Sequence, residues 1–266
     1  MIVETAEKLD LFFGTFTGAA KTLLLLDYDG TLAPFRIDRF KARPWAGVRE
    51  LLTRIQQQDR TRIVIVSGRP AAEIAPLLGL ASPLEIWGLH GAERLHTDGR
   101  RELEQPLPAT QAKLDALCAE LRRDSLGGLF EAKPNGAVMH WRGISQGRAK
   151  EIQKRTRAMF EPLAKMDGLA LLEFESGLEL RAGREKGAAV RMLLDEMKDD
   201  VPGPAAFLGD DITDEAGFLA MKGNGLSALV RREYRDTAAD VWLRPPGELK
   251  DFLSRWLRAC GALSGD

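Results

Sequence analysis

Apolar residues in this chain gather into short runs closed by polar residues, and the runs are separated by stretches with helical spacing. Residues 23–32 read LLLLDYDGTL, four leucines set directly against Asp27 and Asp29 and followed by Gly30 and Thr31. A short apolar run closed by a turn signal has the form of a fully buried strand, although periodicity by itself also admits a helix segment. The same form returns at Arg62–Val66 (RIVIV) before SGRP, at Leu84–Leu89 (LEIWGL) before HGAE, at Ala205–Leu208 (AAFL) before GDDITDE, and in shorter form at Val241–Leu243. Between these runs, Val48, Leu51, Leu52 and Ile55 share a helical face within Trp45–Gln58, and Ala71–Leu78 reads as helix. From Lys186 onward Ala189, Val190, Leu193, Leu194 and Met197 line another helical face, and Leu249–Trp256 closes with a helix. Alternating strands and helices predict an α/β fold, a Rossmann-like core of parallel strands joined by crossover helices.

The pattern changes near Gln105–Pro108. A helix carrying Leu114, Leu117, Cys118 and Leu121 is followed by strand material over Leu129–Trp141, a long helix to about Leu163, and a hairpin-like pair over Leu169–Arg181. Strands and helices now mix in a different order, which predicts a separate α+β insert over residues 105–183, with the core formed by 1–104 and 184–266. No internal repeat or low-complexity tract interrupts either part.

Composition adds little beyond a soluble globular chain. The 266 residues are 44% apolar, and 38 basic against 39 acidic residues leave a net charge of -1. No overall field recruits nucleic acid or an anionic membrane, and the basic stretches Arg148–Arg157 and Arg231–Arg235 read as solvated helix faces or are broken by acids. Cys118 and Cys260 fall in helical patterns without metal or redox spacing and are expected to be packed free thiols. Glu4, Glu7, Lys8 and Asp10 break any signal-peptide run and no apolar run approaches membrane length, so a cytoplasmic protein is expected, acting as a monomer.

The chemistry lies where the apolar runs end. Asp27 and Asp29 point the same way by the two-residue period of a strand, so they are either solvated in a turn or share a cation. In open parallel sheets the reactive site lies beyond the carboxyl ends of the strands, and there this chain places DYDGT, SGR, HGAE and GDDITDE, with REKG opening a helix. Asp27 and Asp210, with a backbone carbonyl near Asp29, form a hard oxygen set suited to Mg2+ and phosphate. A carboxylate can attack a phosphoryl group, and a second carboxylate two residues on can move protons for the leaving oxygen and the attacking water. Ser67 could bond a phosphoryl oxygen, and Lys186 could offset charge in the transition state. Taken singly, Asp-x-Asp-Gly is a common turn and Lys186 a common helix-start lysine; the fixed order of the four elements is what turn formation leaves unexplained.

DYDGT, SGR, Lys186 and GDDITDE resemble the four motifs of the haloacid dehalogenase-like phosphohydrolases. The resemblance implies Asp27 as nucleophile, Asp29 as general acid and base, Ser67 and Lys186 as phosphate contacts, and metal ligation around Asp27, Asp29 and Asp210, supported by Asp211 and Asp214. It also implies that the insert is a cap domain closing over the core. GLHGAE (88–93), FEAKPNGAVMHWR (130–142), GLELRAGREKG (177–187) and FLGDDITDEAGF (207–218) are similar to segments of trehalose-6-phosphate phosphatases of the bacterial stand-alone type. That similarity implies a Mg2+-dependent enzyme acting on trehalose 6-phosphate, with Arg69, His90, Gly91, Glu93, Glu131, Lys133, His140, Arg142 and Glu179 at the sugar. Charged groups able to form paired hydrogen bonds suit a ligand rich in hydroxyls, and the two-residue period puts 131 with 133 and 140 with 142. The chain departs from the pattern at Ala182, where proline is frequent, and at the Pro134-Asn135-Gly136 turn. A phosphatase of sucrose or glucosylglycerol phosphate, and a silent sugar-phosphate sensor, are the alternatives.

Overall fold

The computed structural model describes residues 2–261 apart from 37, 125, 167, 175, 176 and 201. It divides into two compact units: one formed by Met1–Glu102, Glu185–Asp210 and Asp214–Asp266, the other by Leu103–Arg184 with Asp211–Thr213.

In the first unit the apolar runs are the strands expected of them. β1 (Thr22–Leu26) is flanked by β2 (Thr61–Val66) and β10 (Ala205–Gly209), with β3 (Glu85–Gly88) beyond β2, and β11 (Leu226–Val230) and β12 (Val241–Leu243) beyond β10, all parallel. β4 (Glu93–Leu95) turns back antiparallel to β3 with β5 (Arg101–Leu103) beside it, so the sheet is mostly, not wholly, parallel. Alternate residues of each central strand face opposite layers. Leu24, Leu26, Ile63 and Ile65 pack with α1 (Ile2–Gly14), α2 (Val48–Gln57), α3 (Ala71–Leu78) and α8 (Gly247–Gly261). Leu23, Leu25, Val64 and Val66 pack with α6 (Lys186–Asp200) and α7 (Glu215–Met221). Burial on both faces is why β1 reads as a continuous leucine run rather than an alternating one.

α1 and β11 are among the elements that escaped the sequence pattern. α1 carries Glu4, Glu7, Lys8 and Asp10, charges that suit one side of a surface helix, while its Phe12 and Phe13 pack with Trp256 of α8. β11 (LSALV) is short and has Ser227 as its second residue, which interrupts the apolar run. That hydroxyl is buried and donates to Asp240 Oδ2 at 2.6 Å, and the Ser227 N–H donates to the same oxygen at 2.9 Å. Burial opposes the Asp240 charge, but the bonds from Lys222 and Ser227 outweigh it and hold the carboxyl below its ordinary value of 3.8. Asp240→Asn is therefore expected to lower stability at neutral pH by about 1–2 kcal/mol. Because the folded value is depressed, the Asp240 contribution is full above 3.8 and fades as pH falls through the lower folded value. Melting curves of the two proteins between neutral and acid pH should converge at the acid end.

The second unit is a four-stranded antiparallel sheet in the order β6 (Phe130–Lys133), β7 (Gly136–His140), β9 (Gly177–Ala182), β8 (Leu169–Phe174). α4 (Pro108–Arg123) and α5 (Gln146–Ala164) supply Leu114, Leu117, Leu121, Ile152 and Phe160 to a core shared with Ala137, Met139, Leu178 and Leu180. The Pro134–Asn135 pair turns the chain between β6 and β7, and Asn135 is tied to Ala182 by two backbone-directed bonds of 2.7 Å. Residues 175 and 176, which join the hairpin-like pair, lie outside the described residues. Both cysteines are free and buried.

Candidate active site

β1 ends at Leu26, and the parallel register of β1 with β10 carries Asp27 and Asp210 off neighbouring strand ends. Lys186, the first residue of α6, places its Nζ 2.6 Å from Asp27 Oδ1 and 2.7 Å from Asp214 Oδ1. Asp214 Oδ2 accepts the Asp210 N–H at 2.9 Å, and Asp27 Oδ2 accepts the Thr31 hydroxyl at 3.2 Å. All five side chains are in buried residues. Thr31 has no place among the residues singled out from sequence. Its position four residues after Asp27, at the end of the DYDGT turn, was the available signal.

Electrostatics follow from that burial. Burial pushes the Asp27 carboxyl up to about 7, against the pull of Lys186, and the neighbouring Asp214 adds to the rise. Burial works the other way on Lys186, yet the Asp214 and Asp27 carboxylates outweigh it and keep the amine above its ordinary value. A shared ammonium thus leaves the cluster favourable to more positive charge. Carboxylate oxygens of Asp27, Asp210 and Asp214 lie within 4.8 Å of one another, a hard-donor set that fits a divalent cation. Gly30 adopts φ +90°, and a Cβ there would lie 2.0 Å from Asp210 Oδ2, so the glycine is what lets that carboxylate reach the cluster.

Other residues expected at the metal sit differently. The Asp29 carboxylate is outside this group and faces Arg69, whose Nη1 is 3.4 Å from Asp29 Oδ1. Asp211 uses its Oδ1 to accept the Ile212 N–H at 2.7 Å and is likewise outside the group. Arg69 also donates to the Arg39 carbonyl at 3.1 Å and to Glu73 at 3.2 Å, and Glu73 is held by Arg39 at 2.6 Å. This network beside Asp29 had no sequence signal, because Arg39 and Glu73 lie outside the motifs and Arg39 meets Arg69 and Glu73 only in the fold.

Ser67 follows β2, is buried, and its Oγ accepts the Arg69 N–H at 3.2 Å. His90 is buried in a left-handed conformation and packs so closely that a Cβ on Gly68 would lie 2.5 Å from its Nε2. Gly91, with φ +105°, sits against α6, where an added Cβ would be 2.8 Å from that of Ala189. Glu93 is buried with its carboxylate on Ala71 N at 2.7 Å and Arg101 Nε at 2.6 Å.

In the second unit, the register aligns Glu131 with Val138 and Val138 with Glu179, so Glu131, Lys133, His140 and Glu179 share the sheet face turned from the helices. Lys133 Nζ donates to both Glu179 oxygens at 3.0 Å, and His140 Nε2 lies 2.9 Å from Glu131 Oε2. β7 ends at His140, which leaves Arg142 exposed in the turn that follows.

Comparison with known proteins places this arrangement. Residues 25–239 match the family described as trehalose-phosphatase. A trehalose-phosphate phosphatase of Mycobacterium marinum is 32% identical over 245 residues, covering 87% of this chain and 60% of that protein. The chain thus spans less than two thirds of the length of that curated relative. Among solved structures, the C-terminal domain of Candida albicans trehalose-6-phosphate phosphatase superposes with TM-score 0.79 at 20% identity, covering 95% of this chain and 96% of that one. The Aspergillus fumigatus trehalose-6-phosphate phosphatase gives 0.67 at 24% identity, covering 94% and 97%. At those identities the structures speak for the fold alone, which is similar to that of a haloacid dehalogenase-like hydrolase from Bacteroides thetaiotaomicron, with TM-score 0.62 at 18% identity, covering 88% of this chain and 99% of that one. The match across the strand ends, the Lys186 helix and the polar sheet shows that the chain belongs to the trehalose-phosphatase family.

Proposed function

We propose that this protein is a Mg2+-dependent phosphatase that releases phosphate from trehalose 6-phosphate. The observation that carries the reading is Lys186 bridging Asp27 and Asp214 beside Asp210, a buried cluster able to take a phosphoryl group and a cation together. Family membership over residues 25–239 supports the substrate.

In this reading Asp27 attacks phosphorus through a carboxylate oxygen while the bond from phosphorus to the sugar oxygen breaks, and Asp29 gives that oxygen its proton. The product is trehalose, with the phosphoryl group held as an acyl phosphate on Asp27. Asp29, now ionised, takes a proton from water as the water oxygen attacks phosphorus and the bond to Asp27 breaks, which frees phosphate and restores both carboxyl groups. Lys186 stays paired with Asp27 and faces the charge that grows on the phosphoryl oxygens, and Ser67 offers its hydroxyl to one of them. Asp27, Asp210 and Asp214 would hold Mg2+, which when bound would supply the charge that lets an anionic nucleophile approach an anionic ester. The insert, over about residues 105–183, serves as the cap, and Glu131, Lys133, His140, Arg142 and Glu179 read the sugar hydroxyls, with Arg69, His90 and Gly91 contributing from the core.

The deciding experiment is a panel of trehalose, sucrose, glucosylglycerol and glucose phosphates assayed with Mg2+ and with chelator. Trehalose 6-phosphate should lead by about 100-fold or more in kcat/KM, since unpaired polar contacts penalise the wrong sugar. Equal turnover of another member, or release undiminished by chelator, would overturn the reading. Gly30→Ala should push the Asp210 carboxylate aside and raise the Mg2+ concentration for half-maximal rate by about ten-fold or more, as read from Mg2+ titrations.

A further inference from the structure

Beyond the carboxyl ends of β2 and β3 the two chain segments remain zipped. Ser67 N–H donates to the Trp87 carbonyl at 2.8 Å, His90 N–H to the Ser67 carbonyl at 2.9 Å, and Leu89 N–H to the Arg69 carbonyl at 3.0 Å. Glu93 opens β4 at the end of this zip, 1% exposed. One of its oxygens accepts the Ala71 N–H at 2.7 Å and the other the Arg101 Nε–H at 2.6 Å. Ala71 is the first residue of α3, and Pro70 before it makes no side-chain cap. The carboxylate therefore supplies from a neighbouring strand the acceptor that a helix start needs, at the positive end of the helix dipole.

The backbone around it is shaped to admit this contact. A Cβ at Gly88 would lie 2.6 Å from Glu93 Oε2, 2.7 Å from Ala71 N and 2.8 Å from the Arg69 carbonyl. Leu89 and His90 both hold left-handed φ values, of 51° and 57°. Such residues persist only where their surroundings over-determine them, and here the zip and the Glu93 bonds do so. What the assembly fixes is the segment Ser67–Arg69: the Ser67 hydroxyl closes on the Arg69 N–H, and the Arg69 guanidinium reaches Asp29.

We infer that Glu93 is a positioning residue for the phosphoryl site, holding Ser67 and Arg69 through the start of α3, and is not a reader of the sugar. The inference rests on the phosphatase reading and deepens it. Each carboxylate oxygen keeps a second lone pair, but the Glu93 side chain has no exposed surface, so a sugar hydroxyl could reach it only by opening the packing that holds Ala71 and Arg101 against it. Loss of the acceptor shifts Ser67, which acts on the phosphoryl group whatever alcohol carries it.

The test compares Glu93→Gln, Glu93→Asp and Glu93→Ala with the unaltered full chain, using trehalose 6-phosphate and p-nitrophenyl phosphate, a substrate with no sugar. Glu93→Ala and Glu93→Asp, the second one methylene too short to reach Ala71, should lose about 10- to 100-fold in kcat/KM on both substrates by the same factor. They should also bind inorganic phosphate more weakly as a competitive inhibitor, a readout that lost stability alone does not move. Glu93→Gln keeps a carbonyl for the Ala71 N–H and should restore most of the rate, with the ratio between the two substrates unchanged. If the shorter variants do not fold, that ratio in Glu93→Gln still decides the matter. A loss confined to trehalose 6-phosphate in any variant would overturn the inference. Failure of the substrate reading looks different: the unaltered chain would turn over the aryl phosphate and not the sugar phosphate.

Discussion

Asp27→Asn should reduce phosphate release by about 1,000-fold or more while leaving the fold intact. An amide oxygen is a poor nucleophile toward phosphorus, so no acyl phosphate forms. The structural change is small, because Lys186 keeps its bond to Asp214 at 2.7 Å and the Asp27 site, where burial pushes the carboxyl up to about 7, becomes neutral without losing its shape. Asp29→Asn should differ in kind: it keeps the nucleophile and removes the proton carrier, so a substrate with a good leaving group still phosphorylates Asp27 and release of the phosphate becomes slow. A burst of p-nitrophenol in Asp29→Asn and none in Asp27→Asn, read by rapid mixing, would establish the separate tasks; a burst in both would sink the assignment of Asp27.

Lys186→Met is the second large effect, and it acts on stability as well as rate. The ammonium is shared by two buried carboxylates at 2.6 and 2.7 Å, and removing it leaves both facing each other across a dry site. Breaking a buried pair in this way costs about 3–5 kcal/mol, which for a unit of this size lowers the melting temperature by about 10 °C. Adding Asp27→Asn to Lys186→Met should recover part of that loss, since it removes one of the stranded charges. A double variant less stable than Lys186→Met, or a single variant that melts with the unaltered protein, would show that the bridge has no such role. Added Mg2+ should raise the melting temperature of Lys186→Met more than that of the unaltered protein, because the cation then screens carboxylates that have no ammonium between them.

Much of the molecule was legible before any coordinates. Where a strand is buried on both faces, its sequence must be apolar throughout, and β1, β2 and β10 announced themselves that way. Where a strand is short or carries a buried polar residue, as β11 does with Ser227, the signal fails, because the hydroxyl is satisfied by Asp240, thirteen residues away, and local pattern cannot record it. The antiparallel turn of β4 onto β3 was hidden because its three residues, Glu93, Arg94 and Leu95, form no apolar run, unlike the equally short β12.

The chemistry divides along the same line. The order of DYDGT, SGR, Lys186 and GDDITDE along the chain was enough to bring phosphoryl transfer into view, because reactive groups at the ends of parallel strands must converge. Only the tertiary structure decided how those groups are paired: Lys186 between Asp27 and Asp214, Asp29 turned to Arg69, Asp211 on its own neighbouring N–H, and Glu93 spent on the start of α3. A sequence fixes which residue types stand at each strand end. Which donor meets which acceptor depends on the register and packing of segments up to 159 residues apart, and that is set by the folded core alone.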